Sequence, residues 1–277
     1  MHNHIARSLG LPWTFYATEC PSLSDIMALA RDPKTAGLVV TMPYKNTVMQ
    51  HLDGLDELAV QIGACNNVYR DLKDPTKLRG TNTDWLGIRG CLLEGGEVVS
   101  QKPALIVGAG GASRAAVYAL HTTFHASTIY ILNRDDAEVE ALLLDTKRLS
   151  TPPMIVHVKT PEQAQGLATP YYIVGTVPDF EPTTAEELAV KASLNVFLER
   201  NDKGVLLDMC FKPRRTRMIK KAEKDGWSCV EGTHVIGYQI EEQYRLWAGE
   251  EKVLGLDGEG ARNVLSVEAE KAAGINF

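Results

Sequence analysis

Cysteine is sparse and unpatterned in this chain. Five residues, Cys20, Cys65, Cys91, Cys210 and Cys229, are scattered through 277 positions. Their number is odd and no two form a C-x-x-C, which argues against a disulfide framework or a thiolate zinc site. Reduced thiols in a cytoplasmic protein are the expectation. The seven histidines show no H-E-x-x-H spacing, and His2 and His4 do not share a helical face, so no metal is expected. No apolar run approaches the roughly 18 residues a membrane span needs. No charged-then-apolar leader opens the chain, so no secretory signal is expected. Long basic runs are missing too. With a net charge of −6, neither nucleic acid nor an anionic membrane is the expected partner.

What is present is an ordinary globular composition, 44% apolar and 23% charged, in a length that suits one large domain or two smaller ones. The most informative stretch is Ala104-Leu-Ile-Val-Gly-Ala-Gly-Gly-Ala-Ser-Arg-Ala-Ala115. Four apolar residues, three glycines within four positions and a helix-forming run predict strand, tight turn and helix start near Ser113. Gly108 and Gly110 allow close backbone approach to a ligand, and the helix start turns free N–H groups and a positive dipole end toward a phosphate. Ser113 stands where the G-x-G-x-x-G fingerprint has its third glycine. Such a turn also joins packed elements that bind nothing, so its neighbours must decide.

Before that turn the signals are mixed. Ile5 and Leu9 share a helical face ended by Gly10, Trp13–Ala17 is strand-like, and Ser22–Ala30 predicts a capped helix. Gly37–Thr41 predicts a buried strand stopped by Pro43, with a helix resuming near Lys45. Ile62–Arg70 and Leu78–Thr81 predict a hairpin, and Trp85, Ile88 and Leu92 mark a helix ended by Gly95-Gly96. From Lys102 onward strands alternate with helices. The strands are Ala104–Val107, Ile129–Leu132, Met154–Val158, Tyr171–Val174, Val205–Met209 and Ser228–Val230. Repeated βα units imply a doubly wound parallel sheet, Rossmann-like, beside a smaller α/β domain. The expected division is a domain over 1–97 completed by C-terminal helices over 232–277, and a dinucleotide-binding domain over 98–231. A stripe of Ile236, Ile240, Tyr244 and Trp247 predicts the first of those helices.

Three further segments carry polar side chains where packing alone does not ask for them. In Thr41-Met-Pro-Tyr-Lys45 a lysine follows a buried strand; partial desolvation suits it to proton transfer, although a solvated lysine at a helix start is the commoner use. In Gly63-Ala-Cys-Asn-Asn-Val68, Asn66 or Asn67 needs a defined partner, either backbone or a ligand hydroxyl. In Gly80-Thr-Asn-Thr-Asp-Trp85, Asp84 is either a helix cap or a carboxylate that pairs with a lysine in a cleft.

Taken in order, these segments resemble the shikimate/quinate dehydrogenase family over nearly the whole chain. G-x-x-V-T-M-P-Y-K (Gly37–Lys45), G-A-C-N-N (Gly63–Asn67), N-T-D-W-x-G (Asn82–Gly87) and G-A-G-G-A-S-R (Gly108–Arg114) match successive motifs of that family. Asp208 with Pro213 and Thr216 matches another, as does the segment from Glu231-Gly232 to Gln239. Trp85 is similar to the branch found in multifunctional aromatic-pathway enzymes and quinate-using relatives. The resemblance implies two α/β domains with an active site between them. It implies Lys45 and Asp84 as catalytic pair, and Thr41, Asn66 and Gln239 as holders of ring hydroxyls. Gly108, Ala109, Gly110, Gly111, Ala112 and Ser113 would form the dinucleotide turn, with Asn133 and Arg134 beyond the second strand.

The expected reaction is hydride transfer between a nicotinamide cofactor and shikimate or 3-dehydroshikimate. Quinate with 3-dehydroquinate is the alternative substrate pair, and a non-catalytic metabolite sensor the alternative of another class. The match has departures. The family's first strand, with its Ser-x-Ser element, is not found ahead of Met1-His-Asn3. Phe211 stands where the family commonly has tyrosine, and His234 where it has glycine. Arg134 suits a 2′-phosphate, whereas Asp135, Asp136 and Glu138 suit a free ribose diol. The expected cofactor is NADP, with NAD as close alternative.

Overall fold

A computed structural model describes residues 1–277. The first part of the chain runs α1 (His2–Ser8), α2 (Leu23–Arg31), β1 (Gly37–Val39), β2 (Gly54–Leu55), α3 (Glu57–Ile62), β3 (Asn67–Arg70), β4 (Leu78–Thr81) and α4 (Asp84–Gly95). The middle runs β5 (Ala104–Val107), α5 (Gly111–Thr122), β6 (Ile129–Leu132), α6 (Asp136–Thr146), β7 (Ile155–His157), α7 (Pro161–Gly166), β8 (Tyr172–Gly175), α8 (Ala185–Leu198), β9 (Val205–Asp208), α9 (Arg217–Lys224) and β10 (Ser228–Glu231). Four helices close the chain: α10 (Gly232–Gly237), α11 (Ile240–Ala248), α12 (Glu250–Val253) and α13 (Gly258–Lys271). No helix is long and apolar enough to cross a membrane.

The strands form two sheets in an α/β two-domain fold. The small mixed sheet has the order β1-β3-β4-β2, and the large one β10-β9-β8-β5-β6-β7, parallel throughout. In the large sheet β5 comes first in sequence and lies inside. The chain adds strands on one side of it, then returns to add the rest on the other, the doubly wound Rossmann order. The reversal falls between β5 and β8.

The unbroken apolar run of β5 follows from burial on both faces. Ala104 and Ile106 pack with Leu120, Ile131, Val174 and Leu207 on one face, while Leu105 and Val107 pack with Leu132, Phe197, Leu206 and Ile219 on the other. The first of these cores also contains Ile88, Cys91 and Leu92 of α4. That helix therefore starts beside the small sheet at Asp84 and spends its body under the large one.

Elements with strong local signals fall where expected, and several others do not. Trp13–Ala17 is not a strand: no neighbouring strand pairs with it, and the Phe15 N–H donates to Asn3 Oδ1 at 2.6 Å instead. Ile62 ends α3, whose cap Gly63 adopts φ +74°, so pairing begins only at Asn67. After Lys45 there is only a short 3₁₀ turn, Thr47–His51. Helix α5 begins at Gly111 rather than near Ser113. The Ile236–Trp247 stripe is two helices broken at Tyr238 and Gln239.

A concavity of about 780 Å³ runs between the extended segment around Trp13–Glu19 and the free edge of β1, on to Tyr44. His2, Tyr244 and Trp247 also line it.

Candidate active site

The polar centre of the molecule gathers at the N-terminus of α4. Lys45 Nζ donates to Asp84 Oδ2 at 2.5 Å, with the lysine side chain 15% and the aspartate 6% exposed. Each partner is placed by backbone. The Lys45 carbonyl accepts from the Cys65 N–H at 2.7 Å, and the Asp84 N–H donates to Asn82 Oδ1 at 3.0 Å. Asn82 is itself tied to the Ala64 carbonyl at 2.9 Å. Asp84 is thus the first residue of the helix, not its cap, a position where the helix dipole also favours a carboxylate.

The second carboxylate oxygen is supplied from two directions. Asn66 Nδ2 donates to Asp84 Oδ1 at 2.9 Å and Gln239 Nε2 reaches it at 3.4 Å. Asn66 also donates to Gln239 Oε1 at 2.8 Å and accepts the Thr83 N–H at 2.6 Å. Of the two consecutive asparagines, Asn66 therefore has defined partners, whereas the amide of Asn67 is buried with neither atom bonded. Thr41 shares no bond with this group; it is exposed and lines the large groove, its hydroxyl 3.4 Å from the Met42 carbonyl.

Local patterns point to Lys45, Asp84 and one of Asn66 and Asn67, and the family resemblance adds Gln239; both pass over two neighbours. Thr83 Oγ1 donates to Gln239 Oε1 at 2.6 Å, and Gln243 Nε2 contacts both Thr83 Oγ1 and Gln239 Oε1 at 3.2 Å. Their only sequence signal is the four-residue step from Gln239 to Gln243, one helical turn.

The glycine turn abuts this centre. Gly108 adopts φ +116°, and a Cβ there would stand 2.4 Å from Thr176 Oγ1, so the turn after β5 closes tightly on the loop after β8. Ser113 Oγ and Thr176 Oγ1 lie 2.7 Å apart across the switch point. A side chain on Gly111 would meet Lys45 Cβ at 3.1 Å and Asn46 Oδ1 at 3.0 Å. No side chain caps the start of α5, and the space above the Gly110 Cα is open. Free N–H groups facing open space fit the diphosphate of a dinucleotide. Arg114 steadies the turn from behind, donating to the Ala109 carbonyl at 2.8 Å and to Asp145 at 2.6 Å.

Beyond β6, Asn133 Nδ2 donates to the Asp135 carbonyl at 3.0 Å and to Glu138 Oε2 at 2.9 Å. Arg134 is held in an ion pair by Glu187 of α8, and Asp136 by Lys159 at 2.6 Å. Asp208, at the end of β9, accepts from Thr216 Oγ1 at 2.7 Å, and burial pushes its carboxyl up to about 6. His234 Nδ1 lies 2.9 Å from Glu94, which raises its proton affinity.

A doubly wound sheet, an uncapped glycine turn at its switch point and a Lys–Asp pair beside that turn define an α/β protein of the dinucleotide-binding oxidoreductase class. Comparison with known proteins narrows the class. A model of the shikimate dehydrogenase substrate binding domain matches residues 1–68. The quinate dehydrogenase of Emericella nidulans is 39% identical over 276 residues, covering 91% of this chain and 84% of that protein. The pentafunctional AROM polypeptide of Schizosaccharomyces japonicus is 33% identical over 245 residues; these cover 87% of this chain but only 15% of that polypeptide. Among solved structures, the shikimate 5-dehydrogenase of Thermus thermophilus in complex with NADP(H) and shikimate superposes with a TM-score of 0.73 at 26% identity, over 97% of this chain and 92% of that one. The quinate dehydrogenase of Corynebacterium glutamicum in complex with NAD shares the fold, with a TM-score of 0.74 at 23% identity over 96% of this chain and 92% of that one. The chain belongs to the shikimate/quinate dehydrogenase family.

Proposed function

We propose that this protein is a dehydrogenase of a hydroxylated cyclic carboxylate, shikimate or quinate, with Lys45 and Asp84 as its acid–base pair. The observation that carries the reading is the 2.5 Å Lys45–Asp84 contact, held beside the glycine turn by the close approach of Gly111 to Lys45. A bound nicotinamide supplies the hydride acceptor; the chain must supply proton transfer and orientation. In its neutral amine form Lys45 Nζ takes the proton of the reacting hydroxyl during oxidation and becomes the ammonium; in reduction the ammonium returns that proton. Asp84 fixes the direction of that ammonium through Oδ2 and is itself fixed through Oδ1. Asn66 and Gln239 border the same carboxylate and are the candidates for holding ring hydroxyls, with Thr41 on the groove side. On this reading the substrate is held by a unit of 1–97 with 232–277 and the cofactor by 98–231.

Two relatives that share the fold are named with different cofactors, NADP(H) in one and NAD in the other. Here the Arg134–Glu187 pair supports NAD. A 2′-phosphate would have to draw Arg134 away from Glu187 while Asp135, Asp136 and Glu138 crowd the same strand end. Quinate as substrate is supported by the 39% identity to a quinate dehydrogenase.

The test is the appearance of reduced nicotinamide absorbance with shikimate and with quinate, each against NAD and NADP. Turnover of one acid with NAD is expected. Glu187→Gln, which loosens Arg134, is expected to improve NADP use by about tenfold, the worth of one charge-assisted hydrogen bond. Binding of either acid without turnover would leave a metabolite sensor and overturn the enzyme reading.

A further inference from the structure

The loop from Met209 to Thr216, between β9 and α9, leaves the carboxyl end of the second strand past the switch point. At its base Asp208 holds both ends, accepting from the Cys210 N–H at 3.1 Å and from Thr216 Oγ1 at 2.7 Å. Close packing links this loop to the glycine turn. A Cβ on Gly108 would stand 2.4 Å from Thr176 Oγ1, one on Gly175 2.8 Å from Asp208 Oδ1, and one on Gly232 2.5 Å from the Met209 carbonyl oxygen. A dinucleotide seated on the turn lies across the switch point. With Arg134 beyond β6 on the adenine side, its nicotinamide half points toward β8 and β9, and this loop borders it.

The outer part of the loop is held from elsewhere in the chain. Arg214 gives its backbone N–H to the Ile275 carbonyl at 2.6 Å, Nε–H to Asn276 Oδ1 at 2.8 Å and a terminal guanidinium N–H to Glu231 Oε2 at 2.6 Å. Asn276 can offer Arg214 only its oxygen. Its Nδ2 lies 2.7, 3.1 and 2.9 Å from the carbonyls of Ala269, Glu270 and Ala272 at the end of α13, where helical partners run out. Turning the amide over would set its oxygen against those carbonyls and an N–H group against the guanidinium. Helix α13 in turn packs against α10 and α1.

We infer that Asn276 and Arg214 form a latch that sets the β9–α9 loop against the nicotinamide half of the bound dinucleotide. Asn276 is then a positioning residue, supplied by the 232–277 unit to a loop of the 98–231 unit. This rests on the dehydrogenase reading above. The glycine turn and the end of β6, which serve the diphosphate and the adenosine, share no bond with the latch. Loosening it therefore weakens what the nicotinamide half adds to binding and spares the rest.

The experiment compares wild type, Asn276→Leu, Arg214→Met and the double variant in the binding of NAD and of ADP by titration calorimetry, with melting temperature alongside. ADP reports the adenosine and diphosphate alone. Asn276→Leu is expected to weaken NAD by about tenfold, the worth of one charge-assisted hydrogen bond, and ADP by less than about twofold. Adding Asn276→Leu to Arg214→Met is expected to weaken NAD by less than about twofold further, because both cut one latch. Unchanged NAD affinity, equal weakening of NAD and ADP, or full additivity in the double variant each overturns the inference, whatever the melting temperature does. Should Asn276→Leu not fold, Arg214→Met carries the same expectation for NAD against ADP. If wild type prefers NADP, the pair becomes NADP and 2′-phospho-ADP with the same ratios expected. If wild type binds neither dinucleotide, the dehydrogenase reading fails and takes this inference with it. Dinucleotide binding left intact by Asn276→Leu counts against this inference alone.

Discussion

Replacing Lys45 by methionine removes an ammonium and keeps a stem of similar length, so it separates the chemistry of the pair from its packing. Asp84 would then hold its charge at 6% side-chain exposure with two remaining donors, Asn66 Nδ2 at 2.9 Å and Gln239 Nε2 at 3.4 Å. Removing one partner of a buried ion pair costs about 3–5 kcal/mol. The two surviving donors and the 15% exposure of Lys45 place this case at the lower end, about 3 kcal/mol. For a chain of this size that corresponds to a melting temperature lower by about 6–12 °C. Turnover, read from reduced nicotinamide absorbance, is expected to fall by about 10²–10⁴-fold. Dinucleotide affinity, read by fluorescence, is expected to hold, because the free donors of α5 are untouched. Adding Asp84→Leu to Lys45→Met restores most of the lost stability and none of the turnover. A Lys45→Met protein working within about tenfold of wild type would remove Lys45 from proton transfer; a double variant no more stable than the single would refute the burial argument.

Two further expectations concern pH. Asp208 has its carboxyl raised to about 6 by burial, so what it contributes to stability is present below about pH 4 and lost as pH rises through 6. Asp208→Asn should therefore gain on wild type by up to about 3 kcal/mol between pH 4 and 7 in urea unfolding; parallel pH curves would refute this. His234 gains proton affinity from Glu94, so the pair's stabilisation is whole below about pH 6.5 and lost as pH rises through the higher folded value. The melting-temperature gap between wild type and His234→Gln should be wider at about pH 6 than at about pH 9.

The large sheet was legible in the sequence because its signals are local. Runs such as Ala104–Val107 and Ile129–Leu132 are buried on both faces, and a helix follows each, capped by Asp135 in the second case. The small sheet was harder: β2 is two residues long and paired through Arg79 and Gly80, a register no local pattern announces. Trp13–Ala17 has strand composition, but a strand needs a neighbour, and none pairs with it. In the site, Lys45 and Asp84 were recognisable as chemistry-bearing types in ordered motifs, though spacing alone left each with a commoner use. Thr83 and Gln243 carry no such signal because they meet in a bond between residues 160 positions apart, which no window of sequence contains.

The helix that carries Asp84 has a mechanical consequence. Lys45 is anchored to the small sheet through Cys65, while Asp84 rides on a rod whose Ile88, Cys91 and Leu92 are embedded beneath the large one. Yet both ends of the pair are tied to one short segment: Cys65 holds the Lys45 backbone, Ala64 holds Asn82, and Asn66 holds the Asp84 carboxylate. A rotation of one sheet against the other would carry lysine and carboxylate along together, so that the pair stays assembled whether the crevice is open or shut.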